Sequence, residues 1–209
     1  RQVLRKVKEE NPQSIIVAVG CYVQVAKETV ENMKEIDLCL GNVEKKDIVK
    51  KVEEYMKKNQ KENIEIIDVN KETEFQEMGA ITFSEKTRAT VKVQDGCNNF
   101  CTYCLIPFAR GRIRSRKKEN VIEEVKKIAE KGIKEIVITG IHIASYGKDF
   151  DNNYRLIDLL EDLDKIDGIE RIRLGSLEPT IVTKEFAERL SKLDSICNQF
   201  HLSLQSGCD

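Results

Sequence analysis

The stretch Val91-Lys92-Val93-Gln94-Asp95-Gly96-Cys97-Asn98-Asn99-Phe100-Cys101-Thr102-Tyr103-Cys104 sets an apolar strand pattern directly ahead of a loop with three cysteines. A loop that follows a strand is where a βα unit carries its chemistry. Three thiolates can hold three corners of a cubane iron–sulfur cluster whose usual complement is four cysteines, leaving one iron open. An open metal position points to catalysis, and a closed one to scaffolding. By spacing alone, a zinc knuckle or a closed cluster with a fourth ligand from Cys197 or Cys208 remains an alternative.

Downstream of this loop, strand and helix patterns alternate. Val121, Ile122, Val125, Ile128 and Ala129 recur at helical spacing and stop at Gly132, and Ile136 to Gly140 reads as a buried strand. A helix with Leu156, Ile157, Leu160 and Leu163 inward follows, then a third strand at Ile172 and Leu174. Thr183 is the expected cap of a helix carrying Phe186, Ala187, Leu190 and Leu193, and Phe200 to Leu204 is the expected fourth strand. Four βα repeats in one direction predict a barrel or part of one, with the site at the C-terminal ends of the strands. Those ends supply Cys97 to Cys104, Gly140 to His142, Ser176 with Glu178, and Gln205 with Ser206.

Upstream, Ile15 to Val19, Leu38 to Leu40 and Ile64 to Ile67 read as strands. Helical stripes run over Val30 to Ile36 and from Ile48 to Met56. The fold class is therefore α/β: a small parallel N-terminal domain (1–70), a linker (71–87) where the pattern breaks, and a partial βα barrel (88–209). The chain opens at Arg1 inside a helical pattern and stops at Asp209 just after a strand pattern, which leads us to expect a piece of a longer protein.

Composition narrows the class. Forty per cent of the 209 residues are hydrophobic, enough for a core, and no apolar run approaches the roughly 18 to 20 residues needed to cross a bilayer. Without a basic-then-apolar leader the expectation is a cytoplasmic protein with no membrane partner. Seven irregularly spaced cysteines fit metal-ligand thiols in a reducing compartment better than a disulfide framework. The net charge of −1 neither demands nor excludes nucleic acid, but Arg110 to Lys118 places cations at six of nine positions. That segment is either a patch for phosphates or a carboxylate, or a solvated lead into a helix.

The run Val91 to Cys97 and on through Cys104-Leu105-Ile106-Pro107-Phe108-Ala109-Arg110-Gly111 to Arg114-Ser115-Arg116 closely resembles the cluster loop of the radical S-adenosylmethionine methylthiotransferases. Ile138 to Gly147, Arg173 to Pro179 and His201 to Gly207 carry the resemblance onward. Within the family the chain is most similar to the type acting on N6-threonylcarbamoyladenosine at position 37 of tRNA. The isopentenyladenosine enzymes usually read Gly-Gln-Asn after strand two, and the enzymes of a ribosomal-protein aspartate Asp-Thr-Thr. Ile141-His142-Ile143-Ala144-Ser145-Tyr146 resembles neither. An electron-transfer or structural iron–sulfur or zinc module is the alternative from another class.

The resemblance implies a 4Fe-4S cluster on Cys97, Cys101 and Cys104 that binds S-adenosylmethionine and passes one electron to the sulfonium. The resulting 5′-deoxyadenosyl radical would take hydrogen from carbon 2 of the adenine, where a methylated sulfur is then joined. Tyr103 is implied near the cofactor adenine and Gly140 beside its methionine or ribose part; the only two histidines, His142 and His201, read as structural or hydrogen-bonding groups, with His142 the one to face the pocket. Ser176, Glu178, Gln205 and Ser206 would bond ribose or methionine; the plain alternative for each is a loop cap or bridge. Cys21 matches the third of three cysteines that hold an auxiliary 4Fe-4S cluster, its two companions lying ahead of Arg1. Cys39 reads as a small buried hydrophobe. The family barrel has about six strands and an RNA-binding domain beyond it. From this chain alone, with Arg110 to Lys118 as its most basic surface, we expect only weak, salt-sensitive RNA binding. The implied partners are a tRNA anticodon loop and an electron donor such as flavodoxin or ferredoxin, with the protein a monomer.

Overall fold

In the computed structural model, residues 1–58, 66–77 and 87–207 are described. Their contacts form two units, Arg1–Glu72 with Asn99–Gly111, and Thr73–Asn98 with Arg112–Asp209. The expected linker lies partly outside the described residues, as do Ile64 and Cys208.

The first unit contains helices α1 (Gln2–Glu10), α2 (Cys21–Val25), α3 (Lys27–Glu31) and α4 (Ile48–Lys58), strands β1 (Val17–Val19) and β2 (Leu38–Leu40), and the short helix α5 (Ile106–Arg110). β1 and β2 run parallel, with Val17, Ala18 and Val19 opposite Leu38, Cys39 and Leu40. Ile16, Val23, Val30, Ile36 and Cys39 form the buried core, against which Leu4 and Val7 of α1 pack. Cys39 is thus the small buried hydrophobe its neighbours suggested. The Val30 to Ile36 stripe is helical only to Glu31. Turn bonds from Met33 N–H to Val30 O (3.1 Å) and from Ile36 N–H to Met33 O (3.2 Å) still bring Ile36 into the core.

The strand expected up to Ile67 is not formed at Ile66 and Ile67. Side chains have taken the backbone groups that a ladder would use: Ile67 N–H donates to Glu44 Oε1, and Ile67 O accepts from Gln24 Nε2 at 2.9 Å.

The second unit contains strands β3 (Arg88–Asp95), β4 (Arg114–Ser115), β5 (Glu135–Gly140) and β6 (Arg171–Leu174), with helices α6 (Lys118–Glu130), α7 (Leu156–Asp164) and α8 (Lys184–Leu190). The sheet order is β4-β3-β5-β6. β3, β5 and β6 are parallel, and the two-residue β4 is antiparallel to β3. Alternate strand residues Ala89, Val91 and Val93, then Ile136 and Ile138, then Ile172 and Leu174 enter one core with Val121, Val125 and Ile128 of α6 and Leu156, Leu159, Leu160 and Leu163 of α7. The helix boundaries follow their signals. Thr183 Oγ1 accepts from Phe186 N–H at 3.1 Å, and Gly132 ends α6 at φ +78°. The protein is α/β, with a parallel two-stranded unit and an open, partial βα barrel.

Phe200 to Leu204 does not form a fourth full strand. Leu202 makes a single parallel bridge to Leu177, with Leu177 N–H on His201 O (2.9 Å) and Ser203 N–H on Leu177 O (2.8 Å). Beyond it, N–H groups bond two residues back, Leu204 to Leu202 O and Ser206 to Leu204 O. Gln205 has φ +67°, and the backbone coils instead of extending. Among the described residues no helix is long and apolar enough to cross a membrane.

Glu135 at the start of β5 pairs in register with Arg171 of β6 and bonds Arg171 Nε (2.8 Å) and Arg173 Nε (2.7 Å). Bonds from Arg171 and Arg173 hold its carboxyl below the ordinary glutamate range. A depressed carboxyl contributes stability that is complete above its unfolded pKa and is lost as pH falls toward the folded one. Glu135→Gln is therefore expected to flatten the acid limb of stability between about pH 5 and 3, read from urea midpoints across that range.

Candidate metal centre and the strand-end site

β3 delivers the cysteine loop through a fixed turn. Gly96 sits at φ +72°, a conformation glycine adopts without strain, and its N–H donates to Asp95 Oδ1 at 2.9 Å. Gln94, fully buried, ties the turn down. Its Nε2 donates to Asp95 O (2.7 Å) and Gly96 O (2.6 Å), while its Oε1 accepts from His142 N–H (2.7 Å). A register shift between Lys92 and Gln94 brings this amide into the interior next to the inward Val93. Gly140, at the end of β5, makes room for it. A Cβ there would lie 2.9 Å from Gln94 O and 3.0 Å from Gln94 Oε1.

Cys97 follows, buried, in the second unit. Cys101 and Cys104 belong to the first unit, Cys101 exposed and Cys104 half-buried, with Cys104 N–H donating to Cys101 O at 2.9 Å. Phe100, at φ +48°, meets Phe108 of α5 edge-on with ring centroids 5.8 Å apart. Tyr103 is exposed. Cys21, Cys97, Cys101, Cys104 and Cys197 are not in disulfides.

Among the described residues no three His, Cys, Asp or Glu side chains are grouped closely enough to hold a metal ion. The chemistry of the three loop cysteines fits a sulfur-ligated cluster: three cysteine sulfurs stand within eight residues of one loop.

The other strand ends are partly assembled. His142 Nε2 lies 2.8 Å from Glu178 Oε2, and its Nδ1 contacts the hydroxyl of buried Ser145. Ser176 Oγ lies 2.8 Å from His201 Nδ1, so His201 is the hydrogen-bonding group expected. The structure brings together Gly140, His142 and Glu178. Gln205 and Ser206 are exposed on the coiled segment after the Leu202 bridge. Gln94 and Ser145 complete the arrangement without having been singled out. The one signal for Gln94 was an uncharged polar residue directly ahead of Asp95-Gly96.

The basic segment is not one surface. Arg114 and Arg116 are buried; Arg116 pairs with Glu124 and with Glu77 (Nη2 to Oε2, 2.7 Å), and Lys118 Nζ stands 4.8 Å over the Tyr154 ring. Composition could not show that Arg114, Ser115 and Arg116 are all buried at β4 and just beyond it, where acidic partners neutralise Arg116.

A family model described as the Radical SAM superfamily matches residues 91–209, and the chain belongs to that superfamily. Among curated proteins it is 41% identical over 207 residues to the threonylcarbamoyladenosine tRNA methylthiotransferase MtaB of Aquifex aeolicus, covering 99% of this chain and 50% of that protein. The MtaB of Bacillus subtilis is 37% identical, over 99% of this chain and 46% of that protein. The tRNA-2-methylthio-N(6)-dimethylallyladenosine synthase of Clostridium botulinum (strain Loch Maree / Type A3) is 36% identical, over 98% and 46% respectively. The chain spans about half the length of these relatives.

Gln94→Leu keeps the bulk but leaves buried backbone groups unpaired, so it is expected to cost about 1–3 kcal/mol of stability, measured by urea unfolding.

Proposed function

We propose that the protein is a radical S-adenosylmethionine methylthiotransferase that adds a methylthio group to C2 of N6-threonylcarbamoyladenosine at position 37 of tRNA. The observation that carries this reading is the extent of the likeness. Identity to the two MtaB proteins, 41% and 37%, runs through 99% of the chain, so it includes the N-terminal unit with Cys21 as well as the cysteine loop. The 36% identity to the dimethylallyladenosine synthase supports the second reading, the same chemistry on isopentenyladenosine. The sequence after β5, Ile141 to Tyr146, favours the first.

Cys97, Cys101 and Cys104 would hold the 4Fe-4S cluster, and Cys21 would supply one ligand of an auxiliary cluster. When bound, the first cluster supplies the electron that splits S-adenosylmethionine into methionine and a 5′-deoxyadenosyl radical. Around it the chain's own groups position and shield. Gln94 fixes the turn that presents Cys97, and Gly140 keeps the β5 end narrow enough for that amide. Glu178, held against His142, and Ser176, held against His201, present oxygens where ribose hydroxyls or a methionine ammonium can bond. Gln205 and Ser206 would add to this set. Tyr103, exposed on the loop, offers a ring face for the adenine. The tRNA anticodon loop is the substrate, a flavodoxin or ferredoxin the electron donor, and the protein acts as a cytoplasmic monomer.

Anaerobic reconstitution is expected to give a four-iron spectrum that changes on adding S-adenosylmethionine, with 5′-deoxyadenosine released after dithionite. Cys101→Ala should abolish that release while far-UV circular dichroism stays as in the parent; persistent release would refute the loop assignment. Expression of the natural protein in a host whose tRNA lacks the modification, followed by nucleoside mass spectrometry, separates the two substrates. A methylthio product on isopentenyladenosine alone would move the assignment to the second reading.

A further inference from the structure

Resting on the reading of Cys21 as a cluster ligand, we propose that Arg110 and Asn42 are positioning residues that clamp the Cys21 sulfur against the helix following Cys104. The placement begins with the parallel pair in the first unit. Val19 and Leu40 are opposite one another at the last rung of β1 and β2, so the residues two further on, Cys21 and Asn42, emerge side by side. α5 packs on α2 there. Arg110, its last residue, directs Nε to Cys21 Sγ at 3.1 Å. Asn42 Nδ2 is 3.6 Å from the same sulfur and donates at 2.6 Å to Ala109 O, the carbonyl one residue before Arg110.

One sulfur thus faces two N–H donors from different segments, and one of those donors also fastens α5. Asn42 is only 6% exposed, and its Oδ1 is buried with no hydrogen-bond partner among the described residues, so the side-chain amide's bonding is all through Nδ2. The pattern is that of an outer shell. Donors to a ligating sulfur orient it and draw charge from it, raising the potential and slowing metal loss. Placing the donors on α5 means that the peptide leaving Cys104 and the sulfur of Cys21 are held by the same few bonds.

The test uses the natural protein carrying Cys97→Ala, Cys101→Ala and Cys104→Ala, so that only the auxiliary cluster is reconstituted. On that background Arg110→Met and Asn42→Ala should each release iron to a ferrous chelator about tenfold faster. The cluster midpoint potential should fall in Arg110→Met and recover in part in Arg110→Lys, a rescue that a purely structural role would not give. Unchanged release and potential in both variants would overturn the clamp. If the triple-alanine background takes up no four-iron cluster, the ligand reading of Cys21 fails, and the clamp is decided in this chain by amide exchange. Residues Phe108 to Gly111 should then exchange about tenfold faster in Arg110→Met than in the parent, and equal rates would refute the contact.

Discussion

A single carboxamide governs how this protein presents its chemistry. Gln94 makes three hydrogen bonds, to the carbonyls of Asp95 and Gly96 and from the amide of His142. It therefore joins the exits of two parallel strands whose sequence separation is large. Backbone groups at strand ends lose their ladder partners, and here one buried side chain supplies them. Gly140 is small for the same reason, and the turn into Cys97 inherits its direction from that bond set.

The two units build their sites from the same grammar at different scales. In the first, two three-residue strands end in register and set a cysteine beside an asparagine. In the second, the parallel strands β3, β5 and β6 lead into the residues that set Gln94 beside His142 and His142 beside Glu178. Both follow from parallel pairing, in which all C-terminal ends open on one side. The chain belongs to the radical SAM superfamily, and its likeness to the curated relatives extends through the N-terminal unit.

Periodicity made most of this architecture legible. The strands at Val91, Ile136 and Ile172, the helices between them, and the Thr183 cap stand where apolar spacing and capping chemistry put them. The failures share a cause. Ile67 and the Phe200 to Leu204 run have strand composition, yet side-chain donors or tight backbone bonds take their polar groups first, and composition does not record such competition. The basic run is not one surface because Arg114 and Arg116 are buried and Arg116 meets Glu77, 39 residues away in sequence. Gln94 was passed over because its importance comes from a register shift that has no letter in the sequence.

The imidazole of His142 is worth following one step further. An ionised carboxylate can only accept, so the nitrogen facing Glu178 carries the hydrogen, and the nitrogen facing Ser145 is left to take the hydroxyl proton. In its neutral form the ring therefore has one tautomer and one face orientation. A half-turn about its Cβ–Cγ bond would set carbon atoms against an acid and an alcohol, so the same two bonds lock the ring just beyond the end of β5.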